Sequence, residues 1–389
     1  MFNSASGVFV DIEIERDPET DDAGHGDFET AINFARFGKF QKILLAISGL
    51  IYATCAISST TLSFVLPSAQ CDFRLTSVDK GKLSAMPLVG MLFGCCLWGS
   101  LADSHGRKVA IILSLLLDFL SGLISSFVTD FNLFLACRFF NGFGIIGATS
   151  IIFSYLGEFI SIKDRDRILG KLEIFWNIGI IILPGVAWSL LGKKTIEIIE
   201  DGGSFSPWRT FVLICSLPSL FSAVLLYFLP ETPKYLISKK MYEKARLVFQ
   251  KIYTFNTGDD GDNFPVHHLQ EEDNNNKMEQ KHKNEKKNFW KDSLSKLHDL
   301  IETLRSHQYL RYLGITCFAD FGLMASYYTL VLWFPEIFER FDSIGMKHSN
   351  NTRGVCAISQ THIQPSKHHD SECDPFIENK VFSTLLYIP

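Results

Sequence analysis

Gly99-Ser-Leu101-Ala-Asp103-Ser-His-Gly106-Arg107-Lys108 separates two apolar runs, Leu83–Trp98 and Val109–Val128, both long enough to cross a bilayer. A connection this short, carrying Asp, Arg and Lys, cannot rest in hydrocarbon and must turn at a membrane surface. Its glycines permit a tight reversal, Asp103 can cap or pair, and Arg107 and Lys108 bias the turn toward the cytoplasm. The chain reads as a polytopic membrane protein.

Composition agrees. The 389 residues are 47% hydrophobic with 34 Phe, yet the average is only mildly apolar, because very apolar blocks alternate with strongly polar ones. The net charge of −5 is spread along the chain and gives no reason to expect nucleic acid as a partner. Cys55, Cys95, Cys96, Cys137, Cys215 and Cys317 fall in apolar segments and read as small buried hydrophobes. No Cys/His spacing suits zinc, so no metal or other cofactor is expected. No nucleophile–base constellation stands outside the spans either, so an enzyme is not expected. Met1 to Gly38 is acidic and has no apolar signal core, which leaves the first span as the insertion signal.

Runs of about 20 apolar residues place seven helices at Phe40–Leu66, Leu83–Leu101, Val109–Val128, Phe131–Phe159, Leu169–Leu191, Thr210–Leu229 and Tyr312–Phe334. The expected fold is therefore an all-α polytopic membrane protein. Residues 1–39 form an acidic cytoplasmic tail, 40–229 a six-helix bundle, and 230–311 a cytoplasmic linker with short helices. The seventh helix takes 312–335, and 336–389 form a lumenal or extracellular segment. Lys239–Ile252 and Phe289–Ser306 are the short helices expected in the linker, with a flexible polar stretch over Glu271–Asn288. Arg36, Lys39, Lys42, Arg107, Lys108, Lys163, Arg165, Arg167 and Lys171 gather on one side and put the N-terminus inside. Ser58, Ser59, Thr60, Thr61 and Ser63 interrupt the first span. Such hydroxyls either face a bundle interior or bond back to carbonyls of their own helix.

The same decapeptide resembles the signature loop of the major facilitator superfamily. Arg138-Phe-Phe-Asn-Gly142-Phe-Gly144 resembles its fourth-helix motif, and Pro230-Glu231-Thr232-Pro233-Lys234-Tyr235-Leu236 the motif ending the sixth helix in its sugar-porter and organic-ion branches. Phe64-Val-Leu-Pro-Ser68-Ala69, Phe153-Ser154-Tyr155, Phe175-Trp176, Trp208-Arg-Thr-Phe and Ser326-Tyr327-Tyr328 are similar to the synaptic vesicle glycoprotein 2 family. The resemblance implies a twelve-helix transporter-like fold with membrane lipid around it and a small organic solute as cargo. It also implies a synaptic or secretory vesicle membrane, or the plasma membrane. The chain stops at Pro389, after the seventh helix. It is accordingly expected to be a fragment or truncated product, or to assemble with a partner chain supplying the missing half.

The resemblance further implies that Asp103, Arg107, Arg138 and Glu158 form a polar latch near the cytoplasmic face. Trp176, Tyr327 and Tyr328 are expected to line a central cavity, because rings with one polar handle suit organic cations and flat ligands. Three acids fall inside spans: Asp118, Glu173 and Asp320. Intramembrane carboxylates are costly and usually functional. Asp320, two turns before the tyrosines, is the one assigned to the cavity, whereas Glu173 either functions or pairs with Lys171. Trp188 and Trp208 read as an interfacial belt. Relatives commonly carry acids in the first helix where this chain has Cys55, Ser58 and Ser59, which weakens a carboxylate-based cation site there.

Beyond the seventh span, Asn350-Asn-Thr352 is a glycosylation acceptor, and Cys356 and Cys373 share the oxidising side and can form a disulfide. Gly142-Phe-Gly144-Ile-Ile-Gly147 mimics a nucleotide-binding fingerprint but lies inside a membrane helix, where it reads as a packing motif. Two functions stay open: secondary transport of a small organic solute, or a non-transporting vesicle glycoprotein or inactive truncated form that works through protein partners.

Overall fold

A computed structural model describes residues 25–26, 28–191, 206–266, 268–269 and 307–347. Asn350, Cys356 and Cys373, and the helix expected at Phe289–Ser306, lie outside the described residues. Helix α1 covers Phe28–Phe34, α2 Lys39–Phe73, α3 Ser77–His105, α4 Arg107–Phe127 and α5 Phe131–Gly157. Then follow α6 at Ile162–Leu191, α7 at Pro207–Tyr227, α8 at Pro233–Ser238, α9 at Tyr242–Thr257 and α10 at His307–Lys347. His25–Gly26 and His268–Leu269 pair as two short parallel strands.

Among the described residues, six helices (α2 to α7) are long and apolar enough to cross a membrane. The seventh expected span, Tyr312–Phe334, lies within α10. That helix runs on through Pro335 to Lys347 rather than stopping near Phe334. A proline costs a helix one hydrogen bond and some strain but need not end it.

Helix α5 packs against α2, α3 and α4, α2 packs against α5, α6 and α7, and α4 against α7 closes the arrangement. One to four residues connect each of α2, α3, α4 and α5 to the next helix, so these neighbours reverse direction at tight turns. The turn that decides the fold is tighter than its ten residues suggest. Helix α3 continues to His105, α4 starts at Arg107, and Gly106 alone makes the reversal at φ +105°, a conformation that other residues adopt only with strain. At Gly144 the constraint is space. A Cβ there would lie 2.8 Å from the Ser114 carbonyl oxygen and 2.9 Å from the Asp118 nitrogen, so α5 and α4 touch backbone to backbone.

Two apolar clusters fill the bundle. Leu62, Val65, Phe134, Trp208, Phe211 and their neighbours occupy the end away from the basic turns. Trp208 is only 2% exposed between Phe73 and Phe134, so it is a core residue and not part of an interfacial belt; Trp188, 54% exposed, fits a belt position. The Trp208 indole donates to Asp72 at 2.7 Å, which gives its polar edge a partner without reaching water.

The second cluster extends from the bundle into a cap at the basic end. The acidic tail is not wholly tail. Phe28, Ala31, Ile32 and Ala35 recur at helical spacing and pack on α9, where Phe28 meets Phe249 at 5.9 Å and Phe249 stacks on Phe264 at 6.3 Å. Asn256 of α9 fastens this segment. Its amide donates to the carbonyls of Ala35 at 2.9 Å and Arg36 at 2.8 Å, and its oxygen accepts from the Phe40 N–H at 2.9 Å. The linker helix expected at Lys239–Ile252 is found as α9.

Candidate functional site

Three polar constellations lie along the bundle. The first stands on the face shared by α2, α6 and α10. Tyr52 sits one-third of the way along α2, with its ring 5.1 Å from Phe153 of α5 and 4.9 Å from Trp176 of α6. The Trp176 Nε1 lies 3.4 Å from the Tyr327 hydroxyl of α10, and Tyr327 packs edge-on to Tyr328 at 5.3 Å. All five rings are half-buried, so each keeps an accessible face. Glu173, one turn before Trp176, accepts a hydrogen bond from the Tyr52 phenol at 3.2 and 3.3 Å to its two oxygens. Trp176, Tyr327 and Tyr328, the residues expected to line a cavity, are thus brought into contact. Asp320 does not join them: it is exposed, two turns earlier on the same face of α10, about 10 Å away along the axis. Tyr52 and Phe153 were not selected from the sequence, because nothing local distinguishes them from other core aromatics.

The second constellation is closed. Asp118 of α4 is 2% exposed. Its Oδ1 accepts from Ser58 of α2 at 2.7 Å and from the Asn141 amide of α5 at 2.5 Å, and its Oδ2 accepts from Ser219 of α7 at 2.5 Å. Asn141 also donates to Ser58 at 3.0 Å. Four helices therefore converge on one carboxylate. Arg138, buried one turn along α5 from Asn141, donates to Ser125 and lies 4.9 Å from the face of Phe134. The hydroxyl-rich first span divides accordingly. Ser58 turns inward to Asp118, while Thr60 and Thr61 bond back to Ala56 and Ile57 of their own helix at 2.6 and 2.7 Å.

The third constellation closes the basic end. Arg107 pairs with Glu158. Glu231 accepts from the backbone N–H groups of Arg107 and Lys108, both at 3.1 Å, and so caps α4 with a negative charge at its N-terminus. Tyr155 donates to the Pro230 carbonyl at 2.7 Å, Lys108 to that of Tyr227 at 2.8 Å, and Tyr235 to that of Ser104 at 3.0 Å. Burial and then the Glu231 charge push the Tyr235 phenol above its usual pKa, which keeps its proton available for that bond. Asp103 acts on Arg107 from the preceding turn. Arg138 is not part of this set. Twenty residues of α5 separate it from Glu158, about 30 Å of helix, so it stands toward the opposite end. The residue that takes its place at the basic end is Glu231, visible in sequence only as part of the motif after the sixth span.

A family model described as sugar (and other) transporter matches residues 37–358. The chain belongs to this family, within the major facilitator superfamily. Mouse synaptic vesicle glycoprotein 2B is 34% identical over 251 residues, which cover 64% of this chain and 37% of that protein. Rat synaptic vesicle glycoprotein 2A is 33% identical over 230 residues, 59% of this chain and 31% of that protein. The chain thus spans about a third of the length of the curated relatives it matches. Among solved structures, the partially occluded inward-open xylose transporter XylE from E. coli aligns at 19% identity with a TM-score of 0.46, over 56% of this chain and 55% of that one.

Proposed function

We propose that this chain takes part in secondary transport of a small organic solute, bound against Tyr52, Trp176, Tyr327 and Tyr328. The observation that carries the reading is the 3.4 Å approach of the Trp176 indole to the Tyr327 hydroxyl. It joins the six-helix bundle to α10 through half-buried rings at mid-bundle depth, where members of transporter folds build their sites. The Arg107–Glu158 pair and the Glu231 cap then serve as a latch that ties α4, α5 and the end of α7 together at the cytoplasmic face. The basic residues orient that face inward. The likeness to vesicle glycoproteins supports a vesicle membrane as the location, with Asn350 lumenal and glycosylated.

The chain, reconstituted in sealed liposomes, is to be tested for saturable binding or uptake of labelled sugars, organic cations and organic anions. Trp176→Ala is expected to lower whichever signal is found at least tenfold without changing the yield of protein. An unchanged signal in a well-folded Trp176→Ala variant places the solute elsewhere.

A further inference from the structure

We propose that the ring cluster takes a monovalent organic cation, an amine or quaternary ammonium, with Glu173 as its countercharge. The inference rests on the reading of that cluster as the solute site and names the class of solute. Glu173 is an exposed carboxylate inside a helix long and apolar enough to cross a membrane. A charge in that setting is costly unless partnered. The Tyr52 phenol is a neutral partner and leaves the charge uncompensated. Among the described residues, no ion pair joins Glu173 to a basic side chain. Lys171, two residues earlier, projects from the other side of α6.

The groups around Glu173 supply what a soft cation needs. Tyr52 packs edge-on against Phe153 at 86° and tilted against Trp176 at 44°, so ring faces of different orientation stand beside the Tyr52–Glu173 contact. The negative face of an aromatic ring attracts a cation, most strongly for Trp, and the attraction grows where water is excluded. The Tyr327 hydroxyl and the Trp176 N–H give one polar edge. A sugar demands many converging donors and acceptors, and an organic anion would meet the Glu173 charge; neither matches rings with a single carboxylate. The buried Asp118 cannot take this role, because three protein donors already occupy its oxygens.

The test is equilibrium binding to the purified full chain in detergent, with labelled choline, tetraethylammonium, the uncharged choline isostere 3,3-dimethyl-1-butanol, and glucose. The cations are expected to bind saturably and at least tenfold more tightly than the isostere. Glu173→Gln is expected to weaken the cations about tenfold or more and leave the isostere unchanged, while Glu173→Asp restores part of the cation affinity. Gel-filtration profiles matching the native chain show that each variant is folded. Equal binding of cation and isostere, cation affinity untouched by Glu173→Gln, or no cation binding at all overturns the proposal. If glucose or the isostere then binds in a Trp176-dependent manner, the site reading stands and only the cation assignment fails. If Trp176→Ala alters no probe that binds, the site reading itself fails.

Discussion

Asp118 and Glu173 are both carboxylates within membrane-crossing helices, yet their surroundings differ in every respect that matters. Asp118 is buried, receives three hydrogen bonds from three other helices, and has the buried Arg138 nearby. Glu173 is exposed, shares its charge with one phenol, and faces accessible aromatic rings. A carboxylate whose lone pairs are filled by its own protein is committed to holding helices together. One left with a single neutral donor beside ring faces retains capacity for a ligand. On the proposed reading, this difference separates a structural acid from a binding one more sharply than position in a span does.

The largest expected effect follows from the closed site. Asp118→Ala strips Ser58, Asn141 and Ser219 of their shared acceptor. Leaving a buried polar group without its partner costs about 1–3 kcal/mol, and here three groups lose theirs at once. The expected outcome is a strongly lowered melting temperature in detergent, or failure to recover monodisperse protein. Asp118→Asn keeps the shape and part of the hydrogen bonding and should fall between the variant and the native chain. A native-like melting temperature for Asp118→Ala would erase the distinction between the two acids.

The contrast also shows where sequence ran out. The spans and the turn at Gly106 were legible because bilayer thickness, charge exclusion and close helix packing each leave a local pattern, and the family was legible through motifs that resemble those of its members. Trp176, Tyr327 and Tyr328 were legible as a set through the resemblance. The donors around Asp118 were not, since Ser58, Asn141 and Ser219 lie 60, 23 and 101 residues from it and only the packing of four helices unites them. Arg138 was misplaced because the motif carries no depth; its position seven residues into α5 sets it near the start of a helix that ends at the basic face. The docking of α1 was hidden because its four apolar residues are diluted by the acidic stretch before them.

A smaller loss is expected in the cap at the basic end, far from both acids. Asn256→Ala leaves the Ala35 and Arg36 carbonyls and the Phe40 N–H without their side-chain partner. Unmet polar groups of this kind cost about 1–3 kcal/mol, and partial access to water puts this site at the lower end. The signature is local: limited trypsin digestion at Arg36 and Lys39 should accelerate several-fold while the melting temperature of the bundle moves little. Equal digestion rates would mean that the apolar stripe of α1 holds it without the Asn256 amide.

Next comes the cap on α4. Glu231→Ala removes the acceptor for the Arg107 and Lys108 N–H groups and the negative charge at the helix start. Loss of an N-terminal cap costs about 0.5–2 kcal/mol. Thermal unfolding should show a modest decrease, and Glu231→Gln, which can still accept, should recover part of it. If Glu231→Ala and Glu158→Gln shift stability by independent amounts that simply add in the double variant, the two groups do not act as one latch.

The smallest effect is the most discriminating. If Glu173 is held for a ligand and not for the fold, Glu173→Gln should leave the stability of the unliganded chain within about 0.5 kcal/mol, the range of an ordinary surface change. Glutamine retains an oxygen that can accept from Tyr52, and loss of an uncompensated charge from the membrane-crossing face offsets loss of the stronger hydrogen bond. The measurement is the melting temperature of Glu173→Gln beside Asp118→Asn, the same change from acid to amide at the two sites. A clear drop for Asp118→Asn with none for Glu173→Gln keeps the acids in separate roles. A drop of similar size in both would show that the Tyr52–Glu173 contact ties α2 to α6 as Asp118 ties its four helices, and that exposure alone is a poor guide to which acid awaits a ligand.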